Sequence, residues 1–145
     1  MGIKRTTPDS VIMRHLREKQ KRAKESIYLR LAYVGEAALT EARNNHKYKD
    51  QTGNLASSVG YVIIDNGRII RQSTFQQVKN GSEGMAKGKQ YLNQIISQNS
   101  RGIVFIMVAG MNYASYVEAM SLNVLDSAEV LAKKMIPIIL KQLVL

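Results

Sequence analysis

Apolar and polar positions follow two different periods along the chain, and they predict helices separated by a small group of strands. After Pro8 no Pro or Gly appears until Gly35, and apolar residues recur there at steps of three or four positions, as along one face of a helix. Asp9 and Ser10 are good helix-capping residues. We therefore expect a helix over residues 10–45, with a mostly charged first third that projects from the domain.

Two runs rich in β-branched residues flank Asn66 and Gly67, and they predict a β-hairpin. The Asn-Gly pair tolerates the positive φ angles of a type I′ turn, so we place strands over residues 59–65 and 68–75. Further along, the run "GIVFIMVAG" over residues 102–110 is short, rich in β-branched residues and bounded by glycine. This pattern favours a buried strand, which we expect at the centre of the sheet.

Helical spacing returns over residues 84–98 and again from Asp126. The glycines of "GMAKGKQ" predict a flexible loop and a frayed helix start, and Pro137 is expected to kink or end the last helix, before an apolar tail over residues 137–145. A length of 145 residues predicts one domain. The predicted fold class is α+β: a small, mainly antiparallel sheet with a β-hairpin, covered on one face by a long N-terminal helix, a middle helix and a C-terminal helix.

Positive charge is concentrated near the N-terminus. The formal net charge is +10, and residues 1–50 contain twelve Lys and Arg but only six Asp and Glu. Such a surface attracts nucleic acid, an anionic membrane or an acidic protein, although it is also compatible with a solvated helix face. The candidates to face DNA or a partner are Arg14, Arg17, Lys19, Lys21, Arg22 and Lys24.

Composition excludes several classes of protein. The chain has no cysteine, which excludes disulfides, thiol nucleophiles and Cys-ligated zinc. Its longest apolar runs are about ten residues, whereas a membrane span needs roughly 20, so we expect no contact with a membrane. The N-terminus has no apolar signal core, which predicts a protein made in the cytoplasm of its host that stays there unless it is packaged into a virion.

Catalytic motifs are absent from the sequence. His15 and His46 have no triad partners around them, and the acidic residues form no paired or metal-binding motif. The stretch "GMAKGKQ" resembles a phosphate-binding loop, but its glycine spacing is one residue short and Gln90 replaces the hydroxyl that would bind magnesium. We therefore expect neither enzymatic activity nor a cofactor.

Three segments resemble the head-tail joining and tail-completion family of tailed bacteriophages and prophages: "DQTGNLASSVGYVIIDNG", "IVFIMVAGMNYASYVEAM" and "NVLDSAEVLAKKMI". The resemblance covers residues 48–140. In that family a T-G-x-L-R-x-S-I-like motif opens a hairpin, and a Y-A-x-Y-V-E-like motif follows the last core strand. The matching residues are Thr52, Gly53, Asn54, Leu55, Ser58 and Val59 in the first motif, and Tyr113, Ala114, Tyr116, Val117 and Glu118 in the second. Ala56 stands where the family usually has a basic residue.

The resemblance implies a structural virion protein. Several copies would form a homo-oligomeric ring in the neck, between the portal or an adaptor and the tail proteins, around the channel through which DNA passes. The alternative from charge alone is an accessory protein that binds nucleic acid without sequence specificity.

The second motif raises a local question as well. We expect Tyr113 and Tyr116 to pack with apolar ring bodies inside and hydroxyls at the surface. Glu118 is expected to form a buried or interfacial hydrogen bond, or a salt bridge with a basic neighbour. The motif would form either a corner within the chain or a contact with the next subunit.

Overall fold

The computed structural model describes residues 2–4, 6–44, 46, 48–111, 114–120 and 122–143, and within 115–117 the backbone alone. The described chain is α+β, with a long N-terminal helix and an antiparallel sheet, in agreement with the predicted fold class. Its elements in order are α1 (Asp9–Asn44), α2 (Asn54–Ser57), β1 (Val59–Asp65), β2 (Arg68–Gln72), α3 (Ser82–Ile96), β3 (Ile103–Ala109), α4 (Ala114–Ala119) and α5 (Asp126–Lys141).

The sheet has the strand order β2-β1-β3, and all its pairs are antiparallel. The central strand is therefore β1, and the expectation that the run over residues 102–110 forms the centre is wrong. β1 pairs with β3 along its whole length, from Val59 opposite Ala109 to Asp65 opposite Ile103. An apolar run shows that both faces of a strand are covered, but it does not show that both edges are paired.

Helices cover both faces of the sheet, so the expectation of one covered face is wrong. On one face, Tyr61 and Ile63 pack with residues of α1 and α5. On the other face, Val62 and Ile64 pack with Leu92 of α3. Both sets of β1 side chains are apolar, and each set needs a layer of helices to remove it from water.

The hairpin turn is confirmed, since Asn66 and Gly67 both have positive φ angles, of 51° and 82°. β2 ends at Gln72 instead of residue 75 because the Tyr61 N–H donates to the hydroxyl of Ser73 and not to a backbone oxygen, although the Ser73 N–H still donates to Tyr61. The ring of Phe75 then packs on the face that α3 covers, where a Cβ on Gly60 would lie only 2.4 Å from it.

The expectation about Gly88 is wrong, and of the two outcomes expected at Pro137, a kink or the end of the helix, the second is wrong. Pro137 does not end α5, which continues to Lys141. Gly88 is not part of a frayed start, because it lies buried within α3, where a Cβ would stand 2.6 Å from the backbone oxygen of Ser58. This glycine allows the helix to approach the start of β1 closely.

The first part of α1 extends beyond the packed domain. All side chains from Met13 to Arg22 are exposed, and the buried side chains of this helix begin at Leu31. We call residues 13–22 the basic arm. A stretch of ten residues spans about 15 Å of helix, so the arm carries its charges well clear of the sheet.

Candidate functional site

The first motif forms a tight turn before β1. Gly53 has a φ angle of +79°, and a Cβ at this position would stand 1.9 Å from the backbone oxygen of Val78. The hydroxyl of Thr52 accepts a hydrogen bond from the N–H of Asn54 over 3.3 Å. Position 53 of the motif therefore favours glycine, because the backbone is left-handed there and a side chain would clash with the backbone of Val78.

The serines that follow join this turn to its surroundings. The Ser57 hydroxyl accepts the N–H of Val78 over 2.7 Å, and the Ser58 hydroxyl donates to the oxygen of Leu55 over 2.7 Å. Both side chains are fully buried, and these bonds satisfy their polar atoms. Ser58 acts within the chain, and its buried hydroxyl is not available to another subunit.

Glu118 of the second motif binds the start of α5. The N–H groups of Val124, Leu125 and Asp126 donate to its carboxylate over 2.5, 2.7 and 2.8 Å. The first N–H groups of a helix have no partner within the helix, and the helix dipole favours negative charge there. The expected hydrogen bond of Glu118 thus exists, but its donors are backbone groups and not a basic side chain.

The two motifs meet in one small core. Leu55 from the first motif and Ala114 from the second pack in the same buried cluster, together with Tyr48, Met111 and Val124. For these residues the corner within the chain is the observed arrangement. Tyr113 and the side chain of Tyr116 lie outside the described residues, so the expectation about their packing stays a prediction.

Acidic side chains gather at this corner. Repulsion from Glu118 raises the pKa of the Asp126 carboxyl, and Glu129 contributes in the same direction. Glu129 has a basic partner, since Lys133 lies 2.5 Å away on the next turn of α5. We call Glu118, Asp126 and Glu129 the acidic corner.

The basic arm presents five of the six predicted basic residues to solvent: Arg14, Arg17, Lys19, Lys21 and Arg22. The sixth, Lys24, is half-buried and lies 3.1 Å from the Asp65 carboxylate. Lys24 thus has an acidic partner at the hairpin, and its assignment to a DNA- or partner-facing surface stays a prediction.

Asp65 is a structural anchor that sequence reasoning missed. Its carboxylate accepts hydrogen bonds from the Tyr28 hydroxyl and from Lys24. The bond to Asp65 raises the pKa of Tyr28 to about 12, and the same bond with that of Lys24 lowers the pKa of Asp65. This anchor ties α1 to the end of β1 near the point where the arm leaves the domain.

Two further groups of polar contacts hold α1 against the sheet. The Tyr61 hydroxyl donates to Glu36 over 2.7 Å and accepts from Arg71, and burial raises the pKa of Tyr61. Arg43 donates to the backbone oxygens of Val59 and Thr74, and burial lowers its pKa. Tyr61 and Arg43 therefore act in joining α1 to the strands and to the segment that follows β2.

A cleft of about 240 Å³ lies beside β3. It is lined by Tyr91 and Ile95 of α3, by residues 107–109, and by Glu118 and Leu125. Met107 and Val108 belong to opposite faces of the sheet, so a cleft that both of them line lies at the edge of β3. Among the described residues that line it, Glu118 is the one carboxylate and is already bonded to three N–H groups, so they assemble no acid-base pair.

Neither histidine is placed with other catalytic groups. His46 stacks on the Tyr48 ring at a centroid distance of 4.1 Å, and His15 lies 3.9 Å from Glu18 on the exposed arm. Among the residues with described positions, no group of three or more His, Cys, Asp or Glu could hold a metal ion. None of the described helices is both long and apolar enough to span a membrane.

Comparisons with protein-family models, curated proteins and solved structures found no match to this chain. The resemblance to phage neck proteins therefore depends on the motif residues and on the way they are arranged.

Proposed function

We propose that the protein is a structural subunit of a phage neck, where several copies form a ring between the portal or an adaptor and the tail around the DNA channel. The observation that carries the proposal is the meeting of both motif segments in one corner of the fold. Leu55 and Ala114 share a core, and Glu118 binds the helix that follows. Residues that match the family motifs thus have architectural roles, as a structural subunit requires.

The basic arm supports the same proposal. It carries five exposed cations on a helix that leaves the domain, where they can reach a portal surface or the phosphates of DNA in the channel. Contacts of this kind are independent of sequence, which suits a channel that must pass a whole genome.

Imaging of assembled particles tests the ring. In virions of a phage that encodes this chain, we expect a density of rotational symmetry at the neck that fits several copies. The proposal fails if virions form normally without the protein and the purified chain also remains monomeric with portal and tail proteins present.

The alternative is a free accessory protein that binds nucleic acid, and the same arm favours it. We expect weak binding to any DNA duplex, with an affinity that falls linearly with the logarithm of salt concentration. Charge reversal by Arg17→Glu with Lys21→Glu should reduce that slope by about 0.9 for each lost phosphate contact. The matched control, Lys87→Glu with Lys89→Glu on α3, makes the same charge change at two exposed sites outside the arm.

The two functions are separated by what the arm variant does to particles. A neck subunit whose arm is reversed should fail in assembly even at salt concentrations where the native chain binds no free DNA. If the arm variant alters DNA binding but leaves assembly normal, the accessory function is favoured.

A further inference from the structure

β3 has one edge that is paired with β1 and one edge that pairs with no strand in the described part of the chain, which we call the open edge. The N–H of Gly110 donates to Ser58, and the oxygen of Gly102 accepts from Asn66, so the even-numbered residues of this strand point toward β1. Residues 103, 105, 107 and 109 therefore point their N–H and C=O groups away from the sheet. No hydrogen bond from the described part of the chain reaches these groups.

The two edges of the sheet differ in how well they resist pairing. β2 has five residues, includes Arg68 and Arg71, and pairs with β1 through a register shift between Ile63 and Ile64. Short length, charge and a bulge are the features by which natural edge strands avoid other chains. β3 has seven residues in regular register and no charged side chain.

Charges of opposite sign stand near the two ends of β3. Arg101 lies two residues before the strand and is exposed. Toward the other end, Glu118 of the acidic corner lines the cleft beside residues 107–109, and Glu129 lies with Lys133 beside Phe105 and Met107. When two copies of such a strand pair in antiparallel fashion, each positive end meets the negative end of the other copy.

We propose that the open edge of β3 binds the same edge of a second copy of this chain, antiparallel across a two-fold axis. The pair would form one sheet of six strands, with β3 of both chains at its centre. Backbone bonds from residues 103, 105, 107 and 109 would give affinity, and Arg101 facing the partner's acidic corner would set the direction. Two uncharged β3 edges can pair without repulsion, whereas pairing through β2 would place its arginines and its bulge in the contact.

This contact is independent of the proposed neck ring. Neighbouring copies in a ring of more than two subunits are related by less than a half-turn, so a contact across a two-fold axis does not join them. The β3 pair is therefore a form of the protein outside the particle, in which the open edge is protected from other chains.

Proline at the open edge tests the contact. Ala109→Pro removes an N–H that points away from β1, so the ladder of the monomer keeps its bonds. We expect at least a tenfold weaker dimer in sedimentation equilibrium. Gln72→Pro is the matched control at the other edge of the sheet. Gln72 stands opposite Val62 in a pair that exchanges no hydrogen bonds, so its N–H points to the outer side of β2 and proline removes no bond within the sheet. An equal loss in both variants would overturn the proposal in favour of head-to-tail pairing.

A second variant guards against misfolding of the first. Arg101 is exposed, so Arg101→Glu should leave the core intact and weaken the dimer severalfold at low salt but little at high salt. A monomeric native chain at millimolar concentration, or an Arg101→Glu dimer as strong as the native one, would refute the pairing.

The absence of cysteine allows a direct test of symmetry. A residue near the middle of β3 lies opposite itself only in a two-fold pair, and opposed residues of neighbouring strands are close enough for a disulfide. Among the single variants Phe105→Cys, Ile106→Cys and Met107→Cys, we expect at least one to give a disulfide-linked dimer on mild oxidation. The two-fold arrangement would be contradicted if none of these three variants gives a cross-linked dimer while Gln72→Cys, on β2, does.

Discussion

Gly53 combines a left-handed backbone with direct contact to another backbone, and this combination makes a sharp prediction. Gly53→Ala should destabilise the protein by the left-handed cost of about 1–2 kcal/mol and by roughly 1–3 kcal/mol more for the clash with Val78. Gly102→Ala is the control, because its φ angle is also positive, at +70°, but no atom lies within 4 Å of the new Cβ. Equal losses in urea unfolding would show that the clash is relieved.

Glu118 makes a second prediction at the scale of one residue. Glu118→Gln replaces one carboxylate oxygen with an amide NH₂, which cannot accept the N–H groups at the start of α5. We expect a loss of about 1–3 kcal/mol in the free energy of unfolding. Glu129→Gln, at an exposed residue that pairs with Lys133, should change it by less than about 0.5 kcal/mol. A loss that is the same for both variants would mean that the negative charge of Glu118 and the acceptor oxygen lost to the amide add nothing.

The role of Glu118 could be predicted only in part. The sequence shows a lone acid after a buried strand, which indicates a structural hydrogen bond, and that expectation is confirmed. The donors could not be predicted, because they belong to backbone groups six to eight residues later and leave no pattern in side chains. Asp65 was missed for a related reason, since its partners Lys24 and Tyr28 come close only when α1 packs along the hairpin.

At the scale of elements, the anchor between α1 and β1 predicts an unusual titration. The hydroxyl of Tyr28 should titrate at a pKa of about 12, and Asp65→Asn should return it toward the ordinary value near 10. NMR of ring-labelled tyrosine measures this directly. A Tyr28 that titrates normally in the native chain would show that its hydroxyl is not bonded to Asp65.

The same anchor makes stability depend on pH in a defined direction. The pKa of Asp65 is lowered in the folded chain, so its contribution is present above the unfolded value of about 3.9 and is lost as pH falls through the folded value. Tyr28 acts in the opposite range, because its raised pKa removes stability as pH rises from about 10 to about 12. Asp65→Asn should flatten both limbs in unfolding experiments, and Glu129→Gln should alter neither.

The elements with a strong periodic pattern of apolar residues could be predicted from the sequence. Which elements lie beside one another in the fold could not. The hairpin and the three long helices lie within a few residues of the expected ranges, because turn chemistry and helical spacing are local. The position of β3 at an edge was not predictable, since its side chains are apolar on both faces in either position. The short helices α2 and α4 depend on tertiary contacts, such as the bond from the Ala56 N–H to Asp50.

At the scale of the whole molecule, charge and packing are separated along the chain. The packed core includes the last half of α1, the sheet and the other helices, while the five free cations of the arm lie outside it. Substitutions in the arm are therefore expected to change binding without changing the melting temperature, whereas substitutions in the two motifs should do the reverse. A melting temperature that falls by several degrees in the Arg17→Glu, Lys21→Glu variant would contradict this separation.

The length of α1 also has a kinetic consequence. An isolated helix as short as the arm is marginal in water, because its nucleus is costly and few bonds follow. The arm is helical because it continues a helix whose later turns are docked, so its order propagates outward from the anchor at Asp65. Amide hydrogen exchange should consequently accelerate in steps from Lys24 toward Asp9, and a segment that frays in this way can reshape itself rapidly on whatever surface it meets.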